Sequence, residues 1–415
     1  MLKLIQRPFL WIRLQSTFDV FCLCLLSLLS FWFSFHLSGS IPLVFYEKHD
    51  FWFDADIKRV LVNIDGDTAR TMRNHTHPLF AALFKPLAFL FSLLQIGPIM
   101  FGRLLVGASG AVSTVAIFLT LRALGISPIS RLLGGGIFIC SGAFIFWWSV
   151  LETFPIGGAF IAVLILALSI NLKSNLFWIL ATPFTLGITL TNWLIGIVGV
   201  FQSFRWKKSF ELLALGVLMS ATIYGISTQV FQTNTRGMPD AIKKEQQFLI
   251  YPENIDEIPE YAEIYIKRGV GFFCSPAVVA QGYLGTNDLG GESSNFIWYG
   301  GFRYSFSGYI AVICWLILVF KGSSNLIRYR KKSKVPLTLF AFLLFQLGLH
   351  LVYGRHPFLY CAHFMPCLVI IAAFSLSGKR IRLFQGIALV FCFCAMWSNV
   401  ETFYNSIDLV LEANR

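Results

Sequence analysis

Apolar stretches long enough to cross a bilayer recur along this chain. The first, Phe18–Leu37, and its successors approach or exceed the roughly 17–25 residues a helix needs to traverse a hydrocarbon core. Lipid offers no partner for backbone polar groups, so only helices and closed barrels span it, and a barrel would show alternating segments of roughly ten residues instead. With 56% hydrophobic and 13% charged residues, the chain misses the soluble norms of about 45–50% and about 25% on both counts. This excludes a soluble enzyme and a disordered chain. The 33 glycines show no fixed period and 9 cysteines in 415 residues are sparse, which excludes a collagen-like or disulfide-built protein. Lys3, Arg7 and Arg13 precede the first run, whose apolar part is too long for a cleaved signal peptide, so it reads as a retained signal-anchor helix.

Basic residues in short loops set membrane orientation. The N-terminus, Arg122 with Arg131, Lys173, Arg205/Lys207/Lys208, Lys321–Lys334 and Lys379/Arg380/Arg382 all fall on one side if the spans are 18–37, 98–121, 132–149, 155–172, 176–190, 191–204, 209–227, 303–320, 337–353, 357–377 and 384–400. The expectation is an all-α polytopic membrane domain over 1–415 with about eleven transmembrane helices, N-terminus cytoplasmic and C-terminus outside. Residues 176–204 are expected as two short helices turning near Thr191-Asn192. Residues 78–96, interrupted at Lys85-Pro86, are expected to lie at the outer interface or re-enter. About half of the 33 basic residues sit in the cytoplasmic loops, so the +12 net charge has a membrane explanation and no basic soluble face is left for nucleic acid. Most cysteines fall inside spans as small hydrophobes, and no Cys/His zinc spacing occurs.

Two polar segments, 47–97 with its interfacial helix and 228–302, then lie on the same extracytoplasmic side. The stretch from Glu47 to His77 holds five Asp, one Glu and three His. Asp54-x-Asp56 and Asp65-x-Asp67 are paired carboxylates able to hold a divalent cation or to act as a general base. Asp65-Gly66-Asp67-Thr68 reads as a surface turn. Asp54 and Asp56 differ: Phe51-Trp52-Phe53 and Ile57 hold them against the membrane surface, where desolvation raises and Arg59 lowers a carboxylate pKa. His75 and His77 share a side if extended, which suits a metal; His77-Pro78 also marks a helix start. His77 is taken as a substrate contact, and no metal is assigned.

Ionisable groups at helix ends complete the candidates: Glu152, Arg303, and the cluster Arg355, His356, Tyr360 and His363. Such groups are costly at membrane depth, although snorkelling explains arginines and aromatic belts need no function. The spacing of four and three places His356, Tyr360 and His363 on one helical face beside Arg355, an arrangement suited to a phosphate-bearing ligand. The segment 228–302 reads as surface helix and turns with a flexible Gly/Ser-rich part over 282–294, folding over the membrane domain as a lid. P-loop, GxGxxG, HExxH and GxSxG signatures do not occur in the sequence.

The order of these features resembles the GT-C superfamily of integral-membrane glycosyltransferases, most closely its protein O-mannosyltransferase and aminoarabinose-transferase branches. The resemblance rests on Phe53-Asp54-Ala55-Asp56 with Arg59, on His77-Pro78-Leu79-Phe80, and on the late Arg-His-Pro/Tyr-x-x-His-x-x-Pro segment. The sequence departs from those branches in lacking an Asp-Glu pair in the first loop. The resemblance implies a sugar donor on a polyprenyl phosphate, taken from the bilayer, and an acceptor glycan, lipid or protein on the outer face. It also implies Asp56 as the base, with Asp54 as the second candidate for base or metal ligand, and Arg355, Arg303 and Arg59 as phosphate holders. A bacterial inner membrane is the expected location. Two other readings stay open: an O-antigen polymerase or ligase, which needs the arginines but no carboxylate pair after the first helix, and a secondary transporter with a site at the bilayer midplane.

Overall fold

The computed structural model describes residues 17–48, 52–65, 77–231, 246, 248–252, 254–286, 292–295, 303–329, 333–354, 356–413 and 415. It is a helical bundle. In chain order the elements are α1 (Thr17–Ser40), α2 (Val44–Glu47), α3 (Ile57–Asp65), α4 (Phe80–Ser92), α5 (Pro98–Ala123), α6 (Pro128–Ile139), α7 (Gly142–Trp147), α8 (Thr153–Ser169), α9 (Asn175–Leu186), α10 (Trp193–Ser203), α11 (Trp206–Val230), α12 (Ile258–Cys274), β1 (Tyr283–Thr286), β2 (Glu292–Asn295), α13 (Phe306–Tyr329), α14 (Val335–Val352), α15 (Cys361–Ala373) and α16 (Ile381–Ala413).

Among the described residues, seven helical segments are long and apolar enough to cross a membrane: α1, α5, α11, α13, α14, Pro357–Leu376 around α15, and α16. The chain is therefore an integral membrane protein of helical class. Where the sequence suggests four further spans, the structure has the shorter apolar helices α6, α8, α9 and α10. At 1.5 Å per residue the 17 residues of α8 cover about 26 Å, close to a hydrocarbon core. The expected span 132–149 is broken at Cys140–Ser141, where α6 ends and α7 begins. The freed amides of Gly142 and Ala143 donate to the carbonyls of Ala277 and Pro276 at 2.9 and 2.8 Å, so the break leaves no donor unpaired in an apolar interior.

α15 is the axis of the bundle. Apart from His363 it is apolar all round, and all of its residues are buried, as expected of a helix without a polar stripe. α5, α6, α8 and α13 pack around it. Glycines bring two of them to backbone contact: a Cβ on Gly158 would collide with the Ala362 carbonyl oxygen, and one on Gly322 with that of Ile371. α13 and α16 pair along the opposite flank, and α1 lies against α5.

Three sequence expectations change. Lys85-Pro86 does not interrupt its segment: α4 runs through Pro86. The flank of α4 at Leu87, Phe89, Leu90 and Leu93 stays exposed, and its 13 residues are too few to span. The second polar segment is more than a lid, because residues 275–280 are buried between α7 and α16, their backbone paired with Asn399, whose side chain accepts from Val279 N at 2.8 Å and donates to Ala277 O at 2.9 Å. The Gly/Ser-rich part contains an antiparallel pair, Tyr283 opposite Asn295 through Thr286 opposite Glu292, packed against α16; Gly290 and Gly291 lie outside the described residues.

Several of the basic residues placed in loops by the sequence make long-range contacts. Lys173 donates to the Ser203 carbonyl, Lys334 to that of Gln202, and Arg122 and Arg131 meet at Asp19. Asp54, Asp56, His77 and Glu152 gather at the other end of α1 and α8.

Candidate functional site

The loop between α2 and α3 carries the two carboxylates. Trp52 and Phe53 are wholly buried; Trp52 donates its indole N–H to the Phe146 carbonyl at 3.2 Å, and Phe53 packs edge-on to Phe146 and Phe358. These anchors hold Phe53 and Asp54 in left-handed backbone, φ +49° and +59°. Two consecutive non-glycine residues there cost of order 1–3 kcal/mol each, and such strain persists only where the surroundings over-determine it. The turn closes with Ala55 N donating to Trp52 O at 2.8 Å. Asp56 then opens α3, its carbonyl accepting from Val60 N at 2.8 Å. Its carboxylate sits at the helix N-terminus, one turn from its ion-pair partner Arg59.

Glu152 fixes this loop from behind. It is completely buried and caps α8: Oε1 accepts from Thr153 N at 2.8 Å and Thr153 Oγ1 at 3.0 Å, while Oε2 accepts from the Asp56 amide at 2.7 Å. Three donors favour its ionised form, but loss of solvent, reinforced by the Asp56 charge, outweighs them and pushes the Glu152 pKa up to about 7.

The facing wall is the turn between α9 and α10. The expected turn near Thr191-Asn192 is a short 3-10 helix, Leu190–Asn192. His77 bridges to it, its Nδ1 donating to the Ile188 carbonyl, which places a proton on that nitrogen; its Nε2 lies 3.4 Å from Thr153 Oγ1. Leu79 N donates to Gly187 O at 2.9 Å, so the His-Pro-Leu entry to α4 is pinned to the same turn.

The third wall runs from the end of α14 to the start of α15. His350 stacks on Tyr360, ring centroids 4.4 Å apart and 11° from parallel. Gly354, at φ +80°, turns the chain, and His356 caps the 3-10 helix Pro357–Tyr360 by accepting from Leu359 N at 3.3 Å. His356 Nε2 lies 3.9 Å from Asp54 Oδ2, which links this wall to the carboxylate loop. The turn is held by Arg268 of α12, itself buried, whose guanidinium donates to the carbonyls of His350, Tyr353 and Gly354 at 2.7–2.8 Å.

These walls enclose a cavity of about 240 Å³ whose lining includes Asp54, Asp56, His77, Thr191, His350 and Tyr360. The structure thus unites the sequence candidates Asp54, Asp56, His77 and Tyr360, with Arg59 and His356 attached through ion contacts. Three candidates stand elsewhere. Glu152 is behind the lining. Arg303 is exposed, its carbonyl accepting from Gln281 N at 2.8 Å, and is not part of the lining. His363 is buried behind Phe154, edge to face at 5.1 Å. The expected common stripe of His356, Tyr360 and His363 is not a single α-helical face, because the α-helix starts only at Cys361 after a 3-10 turn. Arg355, His75 and Asp67 lie outside the described residues.

Sequence reasoning missed Arg268 and two residues of the cavity lining, His350 and Thr189, the latter with its Oγ1 3.4 Å from His77 Nδ1. His350 looked like one polar residue in an apolar span. Arg268 sits among Glu260, Glu263 and Lys267, which reads as a solvated face; only the apolar run Gly269–Cys274 behind it marks the helix as entering the bundle. Among the described residues, no three His, Cys, Asp or Glu side chains converge on a metal geometry. No protein-family model, curated protein or solved structure matches this chain.

Proposed function

We propose that the protein is a membrane glycosyltransferase of GT-C type that moves a sugar from a polyprenyl-phosphate donor to an acceptor at the extracytoplasmic face of a bacterial inner membrane. The supporting observation is the cavity that joins Asp54 and Asp56 with Arg59 beside them, at the end of an apolar helical bundle. Donor and acceptor chemistry need that combination. A carboxylate takes the proton of the acceptor hydroxyl or amine as it attacks the anomeric carbon. The bond from that carbon to the phosphate oxygen breaks, and the lipid phosphate leaves with the electron pair, stabilised by cationic donors preorganised around it.

Asp56, ion-paired with Arg59, is the base in this reading, and Asp54 shapes the same wall from the strained turn. Arg59, beside Asp56, is the first cation this reading assigns to the donor phosphate; Arg355, adjacent to the Gly354 turn in sequence, is the second. His77 and Tyr360 contact the sugar, and Glu152 positions the Asp56 backbone. Arg303, exposed and outside the cavity lining, is given no role in this reading, whereas Arg59, also outside the lining, enters through its ion pair with Asp56. In this reading the chain takes the eleven-span arrangement with a cytoplasmic N-terminus expected from the sequence, so that the cavity opens on the extracytoplasmic face.

Purified protein in nanodiscs is incubated with polyprenyl-phosphate hexoses and polyprenyl-phosphate aminoarabinose plus membrane extract as acceptor. Polyprenyl phosphate released is measured by mass spectrometry. Release with at least one donor, lost in Asp56→Asn, is expected. Equal release by wild type and folded Asp56→Asn removes the base assignment. No release with any donor, alongside sugar uptake into vesicles lacking lipid-linked sugar, replaces the reading with transport.

A further inference from the structure

Arg103, in the second turn of α5, stands at the end of the bundle that carries the carboxylate cavity: a Cβ on its neighbour Gly102 would meet Leu151, the residue before the Glu152 cap. Two hydroxyls from other elements converge on it. Tyr46 of α2 is 4% exposed and Ser38, near the end of α1, 1%. Burial pushes the Tyr46 pKa up, while Ser38 and the Arg103 charge, both close enough to act on the phenol, pull it down. They approach without completing a hydrogen bond: Tyr46 OH, Ser38 Oγ and Arg103 Nε are all buried with no partner. Among the described residues no carboxylate pairs with Arg103.

A guanidinium only donates and keeps its proton at any working pH, so what this cluster lacks is an acceptor. Two neutral hydroxyls and one guanidinium carry one positive charge between them. A phosphate group offers several anionic oxygens, enough for the planar fork and both hydroxyls at once.

The surface beside the cluster says where such a phosphate comes from. A Cβ on Gly39 would lie 4.0 Å from Arg103 Nη1, and Gly39 is exposed. Leu28, Trp32, His36 and Gly39 follow one another at spacings of four, four and three, so they share one face of α1, and all four are exposed. From Leu28 to Gly39 that face runs about 17 Å, roughly one leaflet's half of a hydrocarbon core. It leads an acyl chain straight to the guanidinium.

We infer that Ser38, Tyr46 and Arg103 hold the phosphate of a membrane phospholipid whose acyl chain lies along this face of α1. Arg103 supplies the charge, and the two hydroxyls orient the headgroup. None of the three lines the carboxylate cavity, so the site stands independently of the glycosyltransferase reading.

Full-length protein in detergent is incubated with phosphatidylglycerol or with diacylglycerol of the same acyl chains, and native mass spectrometry counts the lipid retained. Retention of phosphatidylglycerol and not of diacylglycerol is expected. Arg103→Gln should weaken it about tenfold or more and Tyr46→Phe about fivefold, the usual effects of losing a charged and a neutral hydrogen-bond donor. Arg303→Gln, at an exposed arginine, should leave it unchanged. If Arg103→Gln does not fold, Tyr46→Phe, which keeps the buried ring, decides. Equal retention of the two lipids overturns the inference, as does phosphatidylglycerol retention that folded Arg103→Gln and Tyr46→Phe leave at the wild-type level or that Arg303→Gln lowers as much as Arg103→Gln. A rise in Tm with inorganic phosphate against chloride at equal ionic strength, with no lipid retained, also overturns it and assigns the cluster to a free anion.

Discussion

The Asp56 amide and the Glu152 carboxylate meet at 2.7 Å across 96 positions of sequence. Through that one bond the N-terminus of α8 dictates where the carboxylate of Asp56 stands, and α3 then grows from the same residue. The bond also sets a pH signature, because Glu152 is both the anchor and the group whose charge is least welcome.

Glu152 has a pKa raised to about 7 from an ordinary value near 4.5, by burial first and by the Asp56 charge second. A carboxyl with a raised folded-state pKa binds its proton more tightly in the native state. The contribution of Glu152 to folding stability is therefore fully present below pH ~4.5, is lost through the interval from ~4.5 to ~7, and is absent above it. The shift corresponds to ~3 kcal/mol. Thermal unfolding of the purified protein between pH 5 and 8 should show this fall, and Glu152→Gln should remove it from the difference between the two proteins while lowering Tm throughout. An identical pH slope in wild type and Glu152→Gln would refute the assignment.

Asp56→Asn should reduce sugar transfer by a factor of about 10² to 10⁴, the usual contribution of a positioned general base. The isosteric amide keeps the backbone bonds to Glu152 and Val60, so the variant should elute and melt like the wild type. Lost transfer accompanied by aggregation would leave Asp56 a structural residue only. The KM for the lipid-linked donor should change little in this variant and rise in Arg59→Gln, which separates proton transfer from phosphate binding.

Arg268→Met removes donors to three carbonyls at the His350–Gly354 turn. With those acceptors left buried, a cost of about 3 kcal/mol or more is expected. The cavity wall formed by His350, Tyr353 and Tyr360 should loosen before the bundle does. Limited proteolysis between residues 350 and 360 should therefore accelerate while helical content by circular dichroism stays constant. Arg268→Lys, which cannot fork to three oxygens, should rescue only part of the protection. Cleavage at the wild-type rate would show that the turn holds without the guanidinium.

The membrane class and most helix positions were legible because the bilayer imposes a length on apolar runs, and the run around α1 or α5 has few other readings. The Asp54/Asp56 pair stood out for the same reason: carboxylates flanked by Trp52, Phe53 and Ile57 have no soluble surface to occupy. Long-range bonding was not legible. Nothing local in the sequence shows that residues 275–280 thread between α7 and α16, since their apolar character fits a span end as well as a buried strap. The split of 132–149 at Ser141 was hidden because the amides it frees find partners in Pro276 and Ala277, far away in sequence. Arg268 was masked by the acidic and basic residues of its own helix, and Pro86 failed to stop α4 although local rules place a boundary there.

Glycines along the bundle axis give the most direct test of the packing. A Cβ at Gly322 would collide with the Ile371 backbone, which belongs to the fully buried α15 and cannot retreat without moving α5, α6 and α8 as well. Gly322→Ala should thus cost about 3 kcal/mol or more, an overpacking penalty at the upper end of its usual range, and should yield little monodisperse protein on size-exclusion chromatography. Gly386, on α16, meets nothing within 4 Å of an added Cβ. There the same substitution should stabilise by about 0.5–1 kcal/mol through helix propensity alone. The opposite signs of the two substitutions follow from backbone contact in one case and open space in the other. Equal behaviour of Gly322→Ala and Gly386→Ala would mean that α13 does not touch α15 at Ile371, and the central position of α15 would have to be redrawn.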